Sequence, residues 1–252
     1  MAFAALLAIV LAFSGCLIAE AAASKTKGSN GAKLCKEEPD IIVERSLAQT
    51  GYHRELQTVV HARNRLKVKG RPPTLLLVET IPAGAFVDAH QLRLLDDSDA
   101  TFGLHEKVDV EEMAHQAKSH NVFAFLSVNE TSALAALPVH MRYHKAQHCL
   151  TDGPFAKVTL QPPSIYFRHL DLDFPDTCED LHHLPCDEAN MERTCLWKQL
   201  KVANLNDLSA EVPVGCLEDG FVVSVVTLIT YSLCSIAIAY YVFIHGKKPR
   251  SD

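Results

Sequence analysis

Residues Phe221–Ile244, with the sequence FVVSVVTLITYSLCSIAIAYYVFI, decide how the rest of the chain is organised. These 24 residues include no Asp, Glu, Lys, Arg or His. A helix of that length rises about 36 Å, enough to cross a hydrocarbon core of roughly 30 Å with some tilt. A long helix in a soluble core would instead carry a polar face and capping residues. The stretch therefore predicts a single C-terminal transmembrane α-helix.

The charges on either side of this stretch predict its orientation. Glu218 and Asp219 precede it, and three basic residues follow it, namely Lys247, Lys248 and Arg250. Because basic residues collect on the cytoplasmic side of a membrane, residues 245–252 are predicted to form a cytoplasmic tail. A signal for a glycolipid anchor is excluded, since such signals have shorter apolar tails and do not end in basic residues.

The N-terminal end predicts a signal peptide. Ala4–Ile18 is an apolar run as long as a signal-peptide core and too short to span a bilayer. Small residues follow it at Ala19, Ala21 and Ala23, which favours cleavage after Ala21 or Ala23. Residues 1–23 are therefore predicted to be a signal peptide, and residues 24–220 a single lumenal domain in an oxidising compartment.

The cysteine count predicts disulfides in this domain. Of eight cysteines, Cys16 leaves with the signal peptide and Cys234 lies in the predicted span. The six that remain are Cys35, Cys149, Cys178, Cys186, Cys195 and Cys216. An even number in an oxidising compartment predicts three disulfides, for which fifteen pairings exist.

A zinc site is the alternative use of these cysteines. Cys178, Cys186 and Cys195 lie close in sequence to two histidines, His182 and His183. Thiolates in an oxidising compartment are more often oxidised than bound to metal. We therefore predict disulfides, with no metal or cofactor.

Short stretches of strand-like sequence predict a mainly β domain. Thr74–Val78 and Val122–Val128 are apolar runs of strand length, and Ala156–Leu160 and Ser164–Phe167 flank a Pro–Pro pair. Short strands separated by Pro and Gly predict a β-sandwich-like lumenal domain. The polar, cysteine-bearing region after Leu172 is predicted to be loops that disulfides hold together.

The segment Leu137–Lys145 predicts a half-buried strand. Apolar residues alternate with polar ones along it, with Val139, Met141 and Tyr143 between His140, Arg142 and His144. On a helix, the spacing of His140, His144 and His148 could present a metal site. Pro138 and the alternation favour the strand.

The segment Val108–Ala117 fits two patterns. Val110, Met113, Ala114 and Ala117 have helical spacing, whereas Val108 and Val110 alternate as in a strand. The sequence leaves both interpretations open.

Asn129–Glu130–Thr131 is the only N-glycosylation sequon in the predicted mature chain. It follows the predicted strand Val122–Val128. A turn after a strand is where an acceptor Asn is accessible, so Asn129 is predicted to carry a glycan.

The sequence contains no recognisable catalytic motif. It has no Gly-x-Ser-x-Gly, no His-Glu-x-x-His and no glycine-rich phosphate loop. Asp171–Leu172–Asp173 resembles the Asp-x-Asp of metal-dependent glycosyltransferases, but Asp97–Ser98–Asp99 has the same spacing, and we interpret both as solvated charge. The net charge of −6 also argues against nucleic acid as a partner. No catalytic residue is predicted.

Several stretches together resemble one known family. They are Ile81–Pro82–Ala83–Gly84 with Phe86–Val87–Asp88 and Gln91–Leu92, the strand Leu137–His144, Pro162–Phe167, Cys195–Leu196–Trp197, and Val212–Gly215 before a terminal span. This set is similar to the PIG-X family of glycosylphosphatidylinositol (GPI) biosynthesis, and the similarity extends from about Leu56 to the span. His140–His144 is its most specific part.

The resemblance implies a function that spacing alone does not. PIG-X proteins are non-catalytic subunits of GPI mannosyltransferase I in the endoplasmic reticulum membrane. They stabilise its multi-spanning catalytic subunit, PIG-M, which transfers the first mannose from dolichol-phosphate-mannose. The resemblance brings no catalytic residue, in agreement with the absence of a motif.

One side of the predicted span is a candidate contact for such a partner. Hydroxyl-bearing residues recur there at helical spacing, at Ser224, Thr227, Tyr231 and Ser235. Small and hydroxyl side chains allow close helix packing in membranes. Ser and Thr are also ordinary residues of membrane helices, so both interpretations stand.

Two other functions fit parts of the sequence. A type I cell-surface adhesion protein would also place a glycosylated β-sandwich on one span. A lumenal transferase would use Asp171 and Asp173. Neither explains the similarity to the PIG-X family.

Overall fold

The structure is a computed structural model. It describes residues 35, 39–63, 74–95, 99–127, 132–168, 174–175, 178–203 and 205–245. The predicted signal peptide, the sequon at Asn129, the pair Asp171 and Asp173, and the predicted cytoplasmic tail after His245 lie outside the described residues.

The described residues form twelve strands and three α-helices. The strands are β1 (Ile41–Ala48), β2 (His53–Ala62), β3 (Thr74–Ile81), β4 (Ala85–Phe86), β5 (Ala100–Leu104), β6 (His120–Ser127), β7 (Ser132–Met141), β8 (Phe155–Leu160), β9 (Ser164–Arg168), β10 (Leu181–Pro185), β11 (Thr194–Leu200) and β12 (Leu208–Pro213). The helices are α1 (Ala89–Leu94), α2 (Cys149–Asp152) and α3 (Gly220–His245), with a 3₁₀ turn at Leu217–Asp219.

Two antiparallel sheets face each other and confirm the predicted sandwich. One has the strand order β1-β2-β7-β4, the other β10-β11-β9-β3-β6-β5, and β8 and β12 form a separate ribbon. A core of side chains from both sheets lies between them, including Val60 of β2, Leu77 of β3 and Phe167 of β9. The ribbon closes the other half of this core through Val158 and Val212.

The residue pattern of each strand explains which faces are covered. In β7 the buried residues alternate, at Ala133, Ala135, Leu137, Val139 and Met141, so one face meets the core. In β3, Leu75, Leu76 and Leu77 are all buried. Both faces of a central strand must be covered for such an apolar run to be stable. The outer face of the six-stranded sheet carries a second cluster that includes Leu76, Phe125 and Trp197.

The region after Leu172 corrects one prediction. It is more than disulfide-linked loops, because β10 and β11 extend the six-stranded sheet and β12 pairs with β8. Trp197 is fully buried and donates its indole N–H to the carbonyl of Pro185 at 3.0 Å. Burial of this large ring and of Leu200 favours a strand despite the polar composition of the region.

The six predicted cysteines form three disulfides: Cys35–Cys178, Cys149–Cys216 and Cys186–Cys195. The last closes the β10–β11 hairpin. The three cysteines that a zinc site would use are therefore all oxidised, and among the described residues no group of three His, Cys, Asp or Glu could hold a metal ion.

Helix α3 confirms the apolar helix and extends the predicted span by one residue at each end. With the preceding 3₁₀ turn it covers Leu217–His245. Its most apolar 18 residues have a mean hydropathy of 2.2, and it is long and apolar enough to cross a membrane. None of its side chains is buried against the described part of the chain. We call the end of the sandwich from which the chain enters α3 the proximal end.

Candidate functional site at the proximal end

The stretch that most resembles the PIG-X family, His140–His144, lies at the proximal end. It begins as the last two residues of β7, where β4 pairs with His140 and Met141. The predicted strand is therefore present but ends at Met141, three residues before the end of the alternation at His144. The helical arrangement of His140, His144 and His148 is not formed.

His140 is enclosed by aromatic rings. Its imidazole stacks on Phe86 at 5.0 Å between ring centroids and meets the edge of His53 at 4.6 Å. Its Nε2 lies 2.6 Å from Oε1 of Gln91 on α1. Burial lowers the pKa of His140, the positive charge of His53 lowers it further, and Asp88 opposes both effects. A neutral ring held on both sides serves as a packing element that joins β2, β4, β7 and α1.

Arg142 is the most buried cation of the site, with only 3% of its surface exposed. Its guanidinium lies 4.9 Å above the centre of the Phe86 ring, a cation–π contact. Its Nη1 donates to the backbone carbonyl of Glu112 at 2.6 Å, while its backbone N–H donates to the carbonyl of Gly84 at 2.9 Å. Burial lowers the pKa of Arg142, while the negative charges of Glu112 and Asp109 raise it. The guanidinium stays charged at neutral pH.

Arg142 anchors an irregular segment that we call the acidic loop, residues 105–119. A second anchor is the Ala114 N–H, which donates to the carbonyl of Tyr143 at 3.0 Å. Four carboxylates and two lysines lie in the loop. The structure thus corrects both interpretations of Val108–Ala117, since the segment is neither a helix nor a strand. Its conformation depends on contacts with the residues that follow β7, which no local pattern encodes.

An open cleft of about 420 Å³ separates the acidic loop from the ends of β2 and β7. Tyr52, His53 and Phe86 form its floor, and its rim carries apolar side chains that contact solvent. Val110 is 44%, Met113 43% and Tyr143 72% exposed. An apolar rim surrounded by carboxylates suits contact with another protein. The residues that line the cleft include no nucleophile paired with a base.

The same end is tied to the start of α3. Tyr52 donates its hydroxyl to the carbonyl of Pro213 at 3.3 Å, and its ring contacts that of Tyr143 at 5.2 Å. The Gln147 N–H donates to the Gly215 carbonyl at 3.0 Å, and the Leu217 N–H donates to the Gln147 carbonyl at 2.9 Å. The site and the helix are therefore connected through a short, hydrogen-bonded path.

Glu218 completes this connection. Its carboxylate accepts the N–H of Cys149 at 3.1 Å, where α2 begins, and lies 3.2 Å from Nδ1 of His148. Hydrogen bonds from its own N–H and from that of Cys149 lower the pKa of Glu218. The disulfide Cys149–Cys216 joins the same two segments.

The residues predicted on the span occupy one exposed side of α3. Two of their hydroxyls are already used inside the helix, because Ser224 donates to the Gly220 carbonyl and Thr227 to the Val223 carbonyl, each at 2.7 Å. These two residues would therefore offer a partner helix close packing rather than a free donor. Tyr231 and Ser235 lie farther along the helix and are also exposed. No contact of this side with another element occurs within the described residues.

Sequence reasoning missed the aromatic floor of the cleft and the role of the acidic loop. The alternation in Leu137–Lys145 placed Arg142 on the polar side of a strand. No sequence signal was available for this contact, because Arg142 and Phe86 are 56 residues apart in the chain and meet only where β4 pairs with the end of β7.

Comparison with known proteins places these features in a family. The sequence profile described as PIG-X / PBN1 matches residues 49–243. A Homo sapiens protein named GPI alpha-1,4-mannosyltransferase I, stabilizing subunit, is 29% identical over 222 residues, which cover 84% of this chain and 83% of that protein. A Rattus norvegicus protein of the same name is 28% identical over 255 residues, covering 96% and 98%.

No solved structure matches the chain. The matched residues include β2 to β12, the cleft, the acidic loop and most of α3. The chain therefore belongs to the PIG-X / PBN1 family.

Proposed function

We propose that this chain is a non-catalytic subunit of GPI mannosyltransferase I that stabilises a multi-spanning catalytic subunit of the PIG-M type. That subunit transfers the first mannose from dolichol-phosphate-mannose. The observation that carries the proposal is membership of the PIG-X / PBN1 family over residues 49–243, together with relatives named as the stabilising subunit. The chain lies in the endoplasmic reticulum membrane, with α3 as its single span and the sandwich in the lumen.

The proximal end is the surface that we assign to the catalytic subunit. It is the part of the sandwich that the chain brings closest to α3, and a multi-spanning partner is confined to the same membrane. The apolar rim at Val110, Met113 and Tyr143 remains exposed in the isolated chain. Contact with a lumenal loop of the partner would remove these side chains from water. This burial would stabilise the complex by about 25 cal/mol per Å² of apolar surface.

Co-purification with the catalytic subunit tests this assignment. Val110→Asp combined with Met113→Asp places two charges on the rim and should lower recovery of the catalytic subunit. Leu94→Asp is the matched control, because Leu94 is 83% exposed and lies on α1, outside the cleft lining. Equal recovery with the double variant and the control would contradict the assignment.

The exposed side of α3 is a second proposed contact. Replacing Ser224, Thr227, Tyr231 and Ser235 together with Leu keeps the helix apolar but fills the space that close packing needs. We expect lower recovery of the catalytic subunit with unchanged membrane insertion. Replacing Ile229, Leu233 and Ile236, which lie on the opposite side of α3, with Ala provides the control for general changes in the span. Recovery that falls equally in both variants would remove the side from the proposal.

A further inference from the structure

Three apolar side chains are exposed on segments that are connected to the start of α3. Leu150 on α2 is 88% exposed, Phe155 at the start of β8 is 50% exposed, and Leu217 in the 3₁₀ turn is 50% exposed. We call these residues the junction patch. A single exposed leucine is ordinary in a soluble domain, but three on connected segments beside an apolar helix are not explained by the sandwich core.

The connections fix the junction patch near the first residue of α3. Leu217 begins the 3₁₀ turn that runs directly into Gly220. Cys216 is bonded to Cys149, with 5.2 Å between their Cα atoms, and Leu150 is the next residue. Phe155 pairs with Pro213 across the β8–β12 ribbon. Each member of the patch is thus bound to the segment that enters the helix.

The length of α3 sets the depth of that segment. Its 26 residues run about 39 Å at 1.5 Å per residue, whereas the hydrocarbon core is roughly 30 Å thick. A centred helix therefore projects about 5 Å beyond the core on each side, and the headgroup layer is about 5–8 Å deep. Gly220 lies within the headgroup layer, and the turn that carries Leu217 lies at the same level or just above it.

We propose that the junction patch inserts into the headgroup layer of the bilayer, so that the sandwich rests on the lipid surface beside its span. The occupant of the patch is lipid, because Leu217 lies three residues before the apolar helix α3, and the Cys149–Cys216 disulfide and the β8–β12 ribbon hold Leu150 and Phe155 to the same segment. It would hold the cleft at a fixed height and tilt above the membrane, a role separate from contact with the catalytic subunit.

The charges around the patch indicate that insertion is apolar rather than electrostatic. Lys145 and Lys157 are exposed on these segments, but so are Asp152, Glu211 and Asp219, and Glu211 pairs with Lys157 across the β8–β12 ribbon. The carboxylate of Glu218 already accepts a hydrogen bond from the N–H of Cys149 and contacts the ring of His148. Acidic residues outnumber the two lysines, so the patch has no electrostatic attraction to anionic lipid, and its contact with neutral lipid should be insensitive to salt.

Quenching by brominated lipid tests the proposal on the full-length chain. Leu150→Trp is placed in phosphatidylcholine nanodiscs whose acyl chains carry bromine near the headgroup end. The only native tryptophan, Trp197, is fully buried and gives the same background in every variant. We expect the emission added at position 150 to shift to the blue and to lose most of its intensity relative to unbrominated lipid. Leu94→Trp, exposed on α1, is the control and should not be quenched.

Leu217→Trp provides an independent second site and should be quenched in the same way. Quenching at positions 150 and 217 no stronger than at position 94 overturns the proposal, as does quenching that disappears at high salt. If Leu150→Trp is unquenched while Leu150→Asp lowers recovery of the catalytic subunit, the patch contacts protein. The lipid proposal is then wrong, although the proposed function stands.

Discussion

Removing the charge of Arg142 should release the acidic loop without unfolding the sandwich. Arg142→Met keeps the apolar stem of the side chain and deletes the guanidinium. The variant loses a charge-assisted hydrogen bond to the Glu112 carbonyl, worth about 1.5–3 kcal/mol, and a cation–π contact with Phe86, worth about 0.5–2 kcal/mol. Relief of the burial cost of the cation offsets part of this loss.

A net loss of about 2 kcal/mol from loop closure corresponds to an increase of about 30-fold in the open fraction of the loop. The Ala114 amide reports this opening directly, because its N–H is hydrogen-bonded to the Tyr143 carbonyl only when the loop is closed. Hydrogen exchange measured by mass spectrometry on the full-length chain should therefore accelerate about 30-fold at Ala114. The amides of β3 and β6, in the middle of the six-stranded sheet, should exchange at the parental rate.

Arg93→Met is the matched control, because it makes the same substitution at an exposed arginine on α1. Its exchange at Ala114 should equal that of the parent. If Arg142→Met also leaves exchange at Ala114 within twofold of the parent, the loop is held by other contacts and the anchoring role is refuted.

Three further predictions follow from the charges and the sequon. Burial holds the pKa of His140 below its usual 6.5, so the unfolded chain binds a proton before the folded chain does, and stability falls as the pH drops below about 6.5. His140→Gln should therefore reduce the fall of the melting temperature with decreasing pH, whereas His183→Gln, at an exposed position, should not. Arg45 and Glu79 form a buried pair at 2.8 Å, so Glu79→Leu alone should cost about 3–5 kcal/mol of unfolding free energy, whereas adding Arg45→Met should recover most of it. A double-variant loss equal to the sum of the two single losses would show that the charges are not coupled. A glycan at Asn129 should stay sensitive to endoglycosidase H, and a resistant glycan would favour the cell-surface alternative.

The parts of the fold that follow local physical rules could be predicted from the sequence. The alternation of apolar and polar residues through Val139 and Met141 predicts that every second side chain of β7 is buried, as the structure shows. An uncharged stretch of membrane length became α3, since nothing in such a stretch competes with helical hydrogen bonding. Six cysteines in an oxidising compartment became three disulfides.

The parts that depend on distant contacts could not be predicted. The pairing of Cys35 with Cys178 joins residues 143 apart, which the count of cysteines does not determine. The strands after Leu172 were missed because polar residues separate the members of their buried faces, which include Trp197, Leu200 and Val212. The acidic loop looked periodic because Val110 and Met113 are apolar, yet these side chains form an exposed rim.

The candidate site combines both kinds of feature. The resemblance of His140–His144 to the PIG-X family pointed to the correct strand, but the chemistry of its residues became clear only from the contacts. Arg142 reaches a loop thirty residues away in sequence, and His140 is enclosed by Phe86 and His53. His140 and Arg142, which the strand pattern places in solvent, instead make the contacts that hold the cleft and the acidic loop in place.

The central claim is that this chain supports another protein rather than catalysing a reaction. The most direct measurement removes it from cells and follows the abundance of the catalytic mannosyltransferase subunit together with GPI-anchored markers at the cell surface. Both should fall, and both should recover with the parent chain but not with Val110→Asp combined with Met113→Asp. Normal levels of both in cells that lack the chain would contradict the account.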